Sequence, residues 1–357
     1  MTNPDPTARG EGTLARRIIQ GAEFFVGSGL RAVSFLGRHA GEIIVEYTTL
    51  GRTGLKVSVA GLGCGGPSRL GRRDNKSEKE CITLVRQALD MGVNFLDTAE
   101  VYGTEEIVGK AVGAVPRDKI IISTKMKFPL ADSSNPAGEV RKSLEQSLRR
   151  LRTDYIDVYH AHGVEPGDYA YASTKLLPVL VKMREEGKIR LVGITEAFVE
   201  DTTHSMLVQV LDDGYWDVIM VGFSMLNQSA RNRVFAKTLE ENVGTLVMFA
   251  VRRALSRPER LREVWAELAQ KGLVDRKACN PEEPLDFLLR DGKASTIVDA
   301  AYRFCRFEPG VHVVLSGTGS AEHLKANIES LTKPPLPAPV TARLREIFAK
   351  IDCVTGN

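Results

Sequence analysis

Cysteine is scarce in this sequence, and the few cysteines are scattered. The 357 residues contain five: Cys64, Cys81, Cys279, Cys305 and Cys353. None forms a C-x-x-C pair or a tight cluster with histidine, which argues against zinc and iron–sulfur sites. An odd number of unclustered cysteines is typical of a chain in a reducing compartment. We therefore expect a cytoplasmic protein without a metal site, in which the cysteines are small buried hydrophobic residues.

Two further patterns are missing. No long run of Lys or Arg occurs and the net charge is only +3, so bulk electrostatics do not suggest nucleic-acid binding. No stretch reaches the roughly 18 uninterrupted apolar residues that a membrane-spanning helix requires. Nucleic acid is therefore not expected as a partner, and no transmembrane segment is predicted.

Residues 1–46 form a predicted N-terminal extension with a pattern of its own. Between positions 14 and 39, apolar residues recur near helical spacing and charged residues interrupt them. This predicts one amphipathic helix, or two that break around residues 27–29, and no cleavage site indicates a secretory signal. We expect the helix to pack on the rest of the chain or on a second subunit, which would give a homo-oligomer. The alternative is a helix on a membrane surface.

From residue 47 onward, short apolar runs alternate with helical patterns. The runs are rich in Val and Ile, as in strands buried on both faces. They cover 57–65, 93–99, 119–125, 155–162, 189–195, 217–223, 244–250 and 311–317. Eight strand–helix repeats predict an α/β protein with a (β/α)8 TIM barrel over 47–357. An open doubly wound sheet is the alternative, but no G-x-G-x-x-G segment opens a helix after the first strand.

Two segments add to the repeats. YTTLGRTGLKV precedes the first strand and has glycines around a turn, which predicts a small hairpin at the barrel floor. SRPERLREVWAELAQKG lies between the seventh and eighth strands and predicts an extra amphipathic helix in an enlarged loop after strand 7. Because loops after strands line the active face of such barrels, this loop is a candidate substrate cover. The alternative is a purely structural insertion.

Polar side chains lie at the predicted ends of three neighbouring strands. Asp97 follows the second strand, and Tyr102 comes five residues later. Lys125 ends the third strand, and His160 and His162 end the fourth. Because parallel strands bring their carboxyl ends to one mouth of a barrel, we expect these side chains to meet there.

These residue types suit proton transfer to an oxygen atom. An aspartate beside Lys125 keeps that lysine charged, and the charge is expected to lower the tyrosine pKa from about 10. Tyr102 can then give and take a proton as a general acid and base, while an imidazole donates a hydrogen bond to the same oxygen. The arrangement suits carbonyl reduction, and the hydride, which no side chain delivers, implies a nicotinamide cofactor.

Over about residues 47–350 the chain resembles the aldo-keto reductases, a family of (β/α)8-barrel oxidoreductases that use NAD(P)H. The resemblance rests on NFLDTAEVYG, IIISTK, SLRRLRTDYIDVYHAHGV, KIRLVGIT and LSGTGSAEHLKANI, which occur in the family's order and spacing. It implies a catalytic tetrad of Asp97, Tyr102, Lys125 and His162. His162 matches rather than His160, because it precedes Gly163 and Val164.

The resemblance also implies the cofactor contacts. Thr195 and Glu196 stand where the family has a Ser-Asn pair on the nicotinamide carboxamide, and Met220 replaces a glutamine. Phe249 matches the aromatic residue that stacks on the nicotinamide. The pyrophosphate and adenosine loop matches at Gly317, Thr318, Gly319, His323 and Asn327.

The identity of the nicotinamide cofactor stays open between NADP(H) and NAD(H), with NADP(H) preferred on the family's precedent. Gly317 and His323 stand where NADPH-specific members place Lys or Arg, which favours NAD(H). Arg252 and Arg253 follow the seventh strand, and we expect Arg252 to supply the phosphate charge instead.

The leading prediction is an NAD(P)H-dependent oxidoreductase that reduces an aldehyde, ketone or sugar-like carbonyl of a small molecule. An NAD-dependent sugar or alcohol dehydrogenase of the same fold is the first alternative. A non-catalytic regulatory subunit that binds the cofactor and a partner protein is the second, suggested by the extension and by the departures at Glu196 and Met220.

Overall fold

The computed structural model describes residues 45–126 and 133–357. The strands are β1 (Tyr47–Thr49), β2 (Lys56–Ser58), β3 (Ala60–Gly63), β4 (Phe95–Asp97), β5 (Ile121–Met126), β6 (Ile156–Val164), β7 (Ile189–Glu196), β8 (Val218–Gly222), β9 (Gly244–Met248) and β10 (Val313–Ser316). Strands β3 to β10 are parallel and close into a barrel in chain order, with β10 beside β3. The predicted (β/α)8 barrel is confirmed. The predicted N-terminal helix lies outside the described residues.

Helices follow the barrel strands and cover their outer faces. They are α1 (Glu78–Asp90), α2 (Glu105–Val112), α3 (Pro136–Leu151), α4 (Tyr169–Tyr171), α5 (Leu177–Glu185), α6 (Ser205–Asp213), α7 (Ala236–Glu240), α8 (Arg253–Ser256), α9 (Pro258–Gln270), α10 (Phe287–Arg290), α11 (Ile297–Arg306), α12 (Ala321–Thr332) and α13 (Ala338–Ile347). In the part of the chain described here, no helix has the length and apolarity needed to cross a membrane.

The start of α1 illustrates how local sequence sets a boundary. The Ser77 hydroxyl accepts a hydrogen bond from the amide of Glu80, and the Glu80 carboxylate accepts one from the amide of Ser77. This capping box satisfies two amide groups that the first helical turn leaves without partners.

The first predicted strand divides into two elements. β2 pairs antiparallel with β1 to form the hairpin predicted for this segment, and β3 then enters the barrel beside β4 and β10. Leu50, Leu55 and Val57 of the hairpin pack against the first residues of several barrel strands, including Phe95 and Ile121. The hairpin therefore closes the amino-terminal end of the barrel with apolar side chains, and the polar residues lie at the opposite end.

The enlarged loop between β9, the seventh barrel strand, and α11 contains α8, α9 and α10. The predicted amphipathic helix is α9, which buries Leu261, Val264 and Trp265. The last residues of the chain lie against this insertion, since Gly356 accepts a hydrogen bond from the amide of Ala254 at 2.9 Å. The insertion thus buries the apolar side chains of α9 and contacts the last residues of the chain.

Candidate active site

The strand ends β4 and β5 carry a buried ion pair. The Lys125 ammonium nitrogen lies 2.7 Å from each oxygen of Asp97 and donates a third hydrogen bond to the carbonyl of Thr98 at 2.8 Å. Lys125 is fully buried and Asp97 is 4% exposed. Because all three ammonium protons have acceptors, the side chain is fixed in position and its charge is compensated.

Tyr102 lies above this pair on a short 3₁₀ turn, Glu100–Tyr102, that follows β4. Its ring centroid is 5.3 Å from the Lys125 nitrogen, and its hydroxyl is 3.3 Å from Nε2 of His162 on β6. The loop after β3 passes close to the ring, because a Cβ atom on Gly65 would lie 2.3 Å from it. Only glycine fits at position 65 without moving the tyrosine.

Charge and burial set the protonation states of these groups. Burial alone would lower the pKa of Lys125, but the Asp97 carboxylate raises it above its ordinary value. Burial and the Lys125 charge together lower the pKa of His162 to about 3, so its imidazole is neutral at physiological pH. The site thus combines a fixed cation with a neutral imidazole.

The pKa expected for Tyr102 is corrected by the structure. Burial raises the pKa of the phenol, and the positive charge of Lys125 opposes only part of that rise. The predicted net lowering is therefore wrong, since desolvation of the phenolate outweighs the attraction to lysine. Tyr102 is protonated at physiological pH, the state that a proton donor requires.

A further layer of polar residues lies beneath the ion pair, and the sequence reasoning missed one of its members. Ser123 of β5 donates a hydrogen bond to Asp97 at 2.8 Å, and its hydroxyl oxygen lies 3.1 Å from Nε2 of His160. Ser123 and His160 are both fully buried. Ser123 lies two residues before Lys125, and this spacing along a strand indicates a side chain on the same face.

The two residues implied on the carboxamide point in opposite directions. Thr195 accepts a hydrogen bond from the amide of Gly163 at 2.7 Å. The Glu196 carboxylate lies 2.9 Å from Nδ1 of His204 and accepts a hydrogen bond from the amide of Gly222 at 2.7 Å. Burial raises the pKa of Glu196, and the contact with His204 opposes that rise. Both carboxylate oxygens therefore have partners within the protein.

Phe249 and Arg252 lie together beyond the end of β9. The Arg252 guanidinium carbon is 4.2 Å from the centroid of the Phe249 ring, and its Nε donates a hydrogen bond to the Asn357 side chain at 2.8 Å. Burial and the neighbouring Arg253 lower the pKa of Arg252, whereas Tyr102 opposes the change. Within 45–126 and 133–357, no carboxylate forms an ion pair with Arg252. Met220, by contrast, is buried in the apolar interior of the barrel.

The loop from β10 into α12 has the features of an anion cradle. Ser320 caps α12, whose first amides point out of the helix start, and a helix start of this kind attracts phosphate. A Cβ atom on Gly319 would lie 2.6 Å from Cα of Gly71, and one on Gly317 would lie 3.0 Å from the carbonyl oxygen of Gly63. Backbone approaches this close require glycine at both positions, and the loop brings the start of α12 to the carboxyl end of the barrel.

The other residues implied in this segment differ in placement. Asn327 is buried on α12 and donates a hydrogen bond to Ser316 at 3.0 Å. The Thr318 hydroxyl accepts one from the amide of Ser320 at 3.0 Å. His323 is exposed on the first turn of α12. The described residues contain no group of three or more His, Cys, Asp or Glu side chains placed to hold a metal ion.

Comparison with known proteins identifies a family and several relatives. The family model described as the Aldo/keto reductase family matches residues 61–349. Aldo-keto reductase YhdN of Bacillus subtilis is 28% identical over 300 residues, which are 79% of this chain and 87% of that protein. L-galactose dehydrogenase of Arabidopsis thaliana is 39% identical over 157 residues, which are 42% of this chain and 48% of that enzyme. The chain thus spans about half the length of that second relative.

Solved structures give the same fold. An aldo-keto reductase of Bacillus halodurans, determined in its holo form, superposes with a TM-score of 0.63. The match covers 85% of this chain and 96% of that chain at 24% sequence identity. At this level of identity the similarity supports the barrel fold alone.

Proposed function

The chain belongs to the aldo/keto reductase family, oxidoreductases that act on carbonyls, and on this premise we propose that it reduces an aldehyde, ketone or sugar-like carbonyl with NAD(P)H. Tyr102 is the general acid in reduction and the general base in the reverse reaction. The observation that carries the proposal is the Tyr102 hydroxyl, held 3.3 Å from His162 above the buried pair of Lys125 and Asp97. A protonated phenol, a charged lysine and a neutral imidazole are thereby brought together, and carbonyl reduction requires all three.

Each residue of this set has a separate task. When bound, the nicotinamide cofactor supplies the hydride, which adds to the carbonyl carbon. Tyr102 donates its proton to the carbonyl oxygen as negative charge develops there, and the product is an alcohol. Lys125 stabilises the phenolate that remains, and Asp97 holds the lysine in place. His162, neutral under these conditions, orients the same oxygen by a hydrogen bond.

The residues that would hold the cofactor lie around the same mouth of the barrel. The glycine-lined loop before α12 suits the pyrophosphate, and the Phe249 ring suits the nicotinamide. We propose that Thr195 and Glu196 lie at the carboxamide of the nicotinamide. The residues proposed for the pyrophosphate and adenosine are Gly317, Thr318, Gly319, His323 and Asn327. The Glu196 carboxylate contacts His204 and the amide of Gly222. Glu196 would therefore support the cofactor by holding the end of β7 in place, and not by a side-chain contact with the carboxamide.

A dehydrogenase that oxidises a sugar or alcohol with NAD is the second candidate. It is favoured by the absence of Lys and Arg from residues 317–323, where a 2′-phosphate would need charge. The similarity to L-galactose dehydrogenase over 157 residues also favours it. Parallel fluorescence titrations with NADH and NADPH distinguish the two candidates, because the dehydrogenase should prefer NADH.

Replacing Tyr102 by Phe tests the mechanism. The variant retains the ring against Gly65 but lacks the proton, so carbonyl reduction should fall by roughly 10²- to 10⁴-fold. NAD(P)H affinity should be unchanged, as measured by quenching of intrinsic fluorescence. Tyr215→Phe, which removes the same hydroxyl from a side chain that is 63% exposed, is the matched control and should keep full activity.

Two outcomes would contradict the proposal. Turnover by Tyr102→Phe at the wild-type rate would exclude the tyrosine as the proton donor. A wild-type protein that binds NAD(P)H but reduces no member of a broad panel of aldehydes, ketones and sugars would favour a regulatory subunit instead.

The remaining proposals concern the chain as a whole. We propose a division into an extension, 1–46, and the barrel, 47–357, with the extension as the contact of a homo-oligomer. The five unclustered cysteines support a cytoplasmic location. Light scattering of the full chain and of a chain that starts at residue 47 would test the oligomer.

A further inference from the structure

A continuous chain of buried hydrogen bonds runs downward from Lys125 into the barrel. Lys125 donates to Asp97, Asp97 accepts from Ser123 at 2.8 Å, and Ser123 lies 3.1 Å from Nε2 of His160. No member is more than 4% exposed. Asp97 is the register partner of Ser123, and Lys125 is the register partner of His160, so three adjacent strands fix all four side chains.

The direction of each hydrogen bond follows from the number of protons. A serine hydroxyl has one proton, and Ser123 gives it to the Asp97 carboxylate, which only accepts. Toward His160 the serine oxygen must therefore accept, so Nε2 of His160 carries a proton. Burial and the charge of Lys125 lower the pKa of His160 well below its ordinary value, so the ring is neutral and Nδ1 carries none.

Within the described residues, Nδ1 of His160 has no hydrogen bond of good geometry, and a weaker interaction of the ring with the backbone of Ile194 only opposes part of the fall in its pKa. Nδ1 faces Gly193 of β7, where a Cβ atom would lie 2.3 Å from it. A buried acceptor without a partner destabilises a protein, and the layer below is filled by apolar residues such as Phe95 and Val158. An apolar side chain would suit packing better than His160, so packing alone does not account for this residue.

Resting on the proposed function, we propose that Ser123 and His160 are positioning residues for proton transfer by Tyr102. His160 donates to Ser123, Ser123 donates to Asp97, and the chain holds the Asp97 carboxylate in the orientation that fixes Lys125. Neither residue touches the substrate. The hydrogen bond from Ser123 also draws negative charge away from the side of Asp97 that faces Lys125 and Tyr102.

Loss of this chain should therefore make Tyr102 a weaker acid. Without the hydrogen bond from Ser123, the Asp97 carboxylate keeps more negative charge on the side that faces Lys125. That charge compensates more of the Lys125 charge, and the pKa of Tyr102 therefore rises further. The other titratable or charged groups near the Tyr102 phenol are the same in the wild type and in variants of Ser123 or His160. They are Cys64, Arg69, His162 and Arg252. Those near His160 are Lys125 and His162.

Four variants test the chain: Ser123→Ala, His160→Leu, the double variant and His160→Gln. The first two should each lower kcat for carbonyl reduction by about tenfold, which corresponds to about 1.4 kcal/mol, with KM for NAD(P)H unchanged. The rate of the reverse reaction, alcohol oxidation, should rise with pH as Tyr102 loses its proton. The midpoint of that rise should lie at a higher pH in these variants than in the wild type. The double variant should be no worse than either single one, because both break the same chain. Glutamine carries a donor at the position of Nε2 and should restore most of the rate.

Two results would overturn the inference. Effects of Ser123→Ala and His160→Leu that add in the double variant would show that they act separately. An oxidation profile of His160→Leu that coincides with the wild-type profile would show that His160 does not influence Tyr102. If His160→Leu does not fold, Ser123→Ala, which removes a single oxygen, replaces it in the profile comparison with the same two outcomes.

A measurement without turnover separates this inference from the proposed function. In protein with carbon-13-labelled tyrosine, the signal missing from Tyr102→Phe reports ionisation of Tyr102 directly. Its midpoint should move to higher pH in Ser123→Ala, and an unchanged midpoint would overturn the inference. A wild type without carbonyl reductase activity would refute the proposed function, while this titration would still decide the role of Ser123.

Discussion

At the scale of single residues, Arg252 is expected to bind a phosphate group of the cofactor. Within the described residues its guanidinium lies on the Phe249 ring and donates one hydrogen bond, to Asn357, which leaves most of its five donors for a ligand. Arg252→Ala should therefore raise KM for NADPH and KM for NADH by about tenfold, as expected for loss of a charge-assisted hydrogen bond of about 1.5 kcal/mol to a cofactor phosphate. Both values should rise together, because Arg252 lies on the ring proposed for the nicotinamide and not at the adenosine end of the cofactor. Steady-state kinetics with both cofactors measure the two values.

Arg257→Ala is the control for that experiment, because Arg257 is exposed on the same loop. It should leave both KM values unchanged. Equal KM values for wild type and Arg252→Ala with both cofactors would show that Arg252 does not bind a phosphate group of the cofactor.

Residue identity at strand ends was enough to predict which side chains meet. Asp97, Lys125 and the two histidines end adjacent parallel strands, and the closed barrel places them together. Ser123 was missed because a small polar residue inside an apolar run looks like a tolerated core position. The rise of the Tyr102 pKa was missed because burial depends on loops distant in sequence, such as the one at Gly65.

At the scale of elements, strand and helix positions were predictable from apolar runs and helical spacing. The hairpin, the eight barrel strands and α9 were all correctly predicted. The division of the first predicted strand into β2 and β3 was not predicted, because neither proline nor glycine stands at Val59, where the two strands separate. The direction of Glu196 was also missed, although successive side chains of a strand alternate between the two faces.

The contacts of Glu196 predict what it does for its element. It joins the end of β7 to His204, which begins α6, and to Gly222 at the end of β8. Glu196→Gln keeps the shape and loses the charge, so it should lower the free energy of unfolding by about 2 kcal/mol. Its NADPH affinity should stay within about twofold of the wild type. Urea unfolding and fluorescence titration measure the two effects.

Glu200→Gln serves as the matched control, because Glu200 is exposed in the same β7–α6 segment. It should change neither stability nor affinity. A Glu196→Gln variant with wild-type stability and strongly reduced affinity would instead indicate that the carboxylate contacts the cofactor directly.

At the scale of the whole molecule, the polar end of the barrel makes stability depend on pH. The barrel buries His160 and His162 as neutral rings, and the pKa of His162 is lowered to about 3. In the unfolded chain a histidine binds a proton below about pH 6.5. Below that pH the unfolded state therefore holds more protons than the folded state. The contribution of each buried neutral ring to the free energy of unfolding is fully present above about pH 6.5, and it is lost as the pH falls toward 3.

Each of these histidines should therefore make the free energy of unfolding fall by up to about 1.4 kcal/mol per pH unit below pH 6. His160→Gln does not titrate, so its urea-unfolding free energy should fall less steeply between pH 6 and pH 4.5 by about that amount. His323→Gln, which makes the same substitution at an exposed histidine, is the control measured beside it. Parallel slopes for His160→Gln and the wild type would mean that His160 is protonated in the folded barrel. That result would contradict a neutral His160 donating to Ser123, because the lowered pKa of the buried ring is what leaves it a single proton to donate.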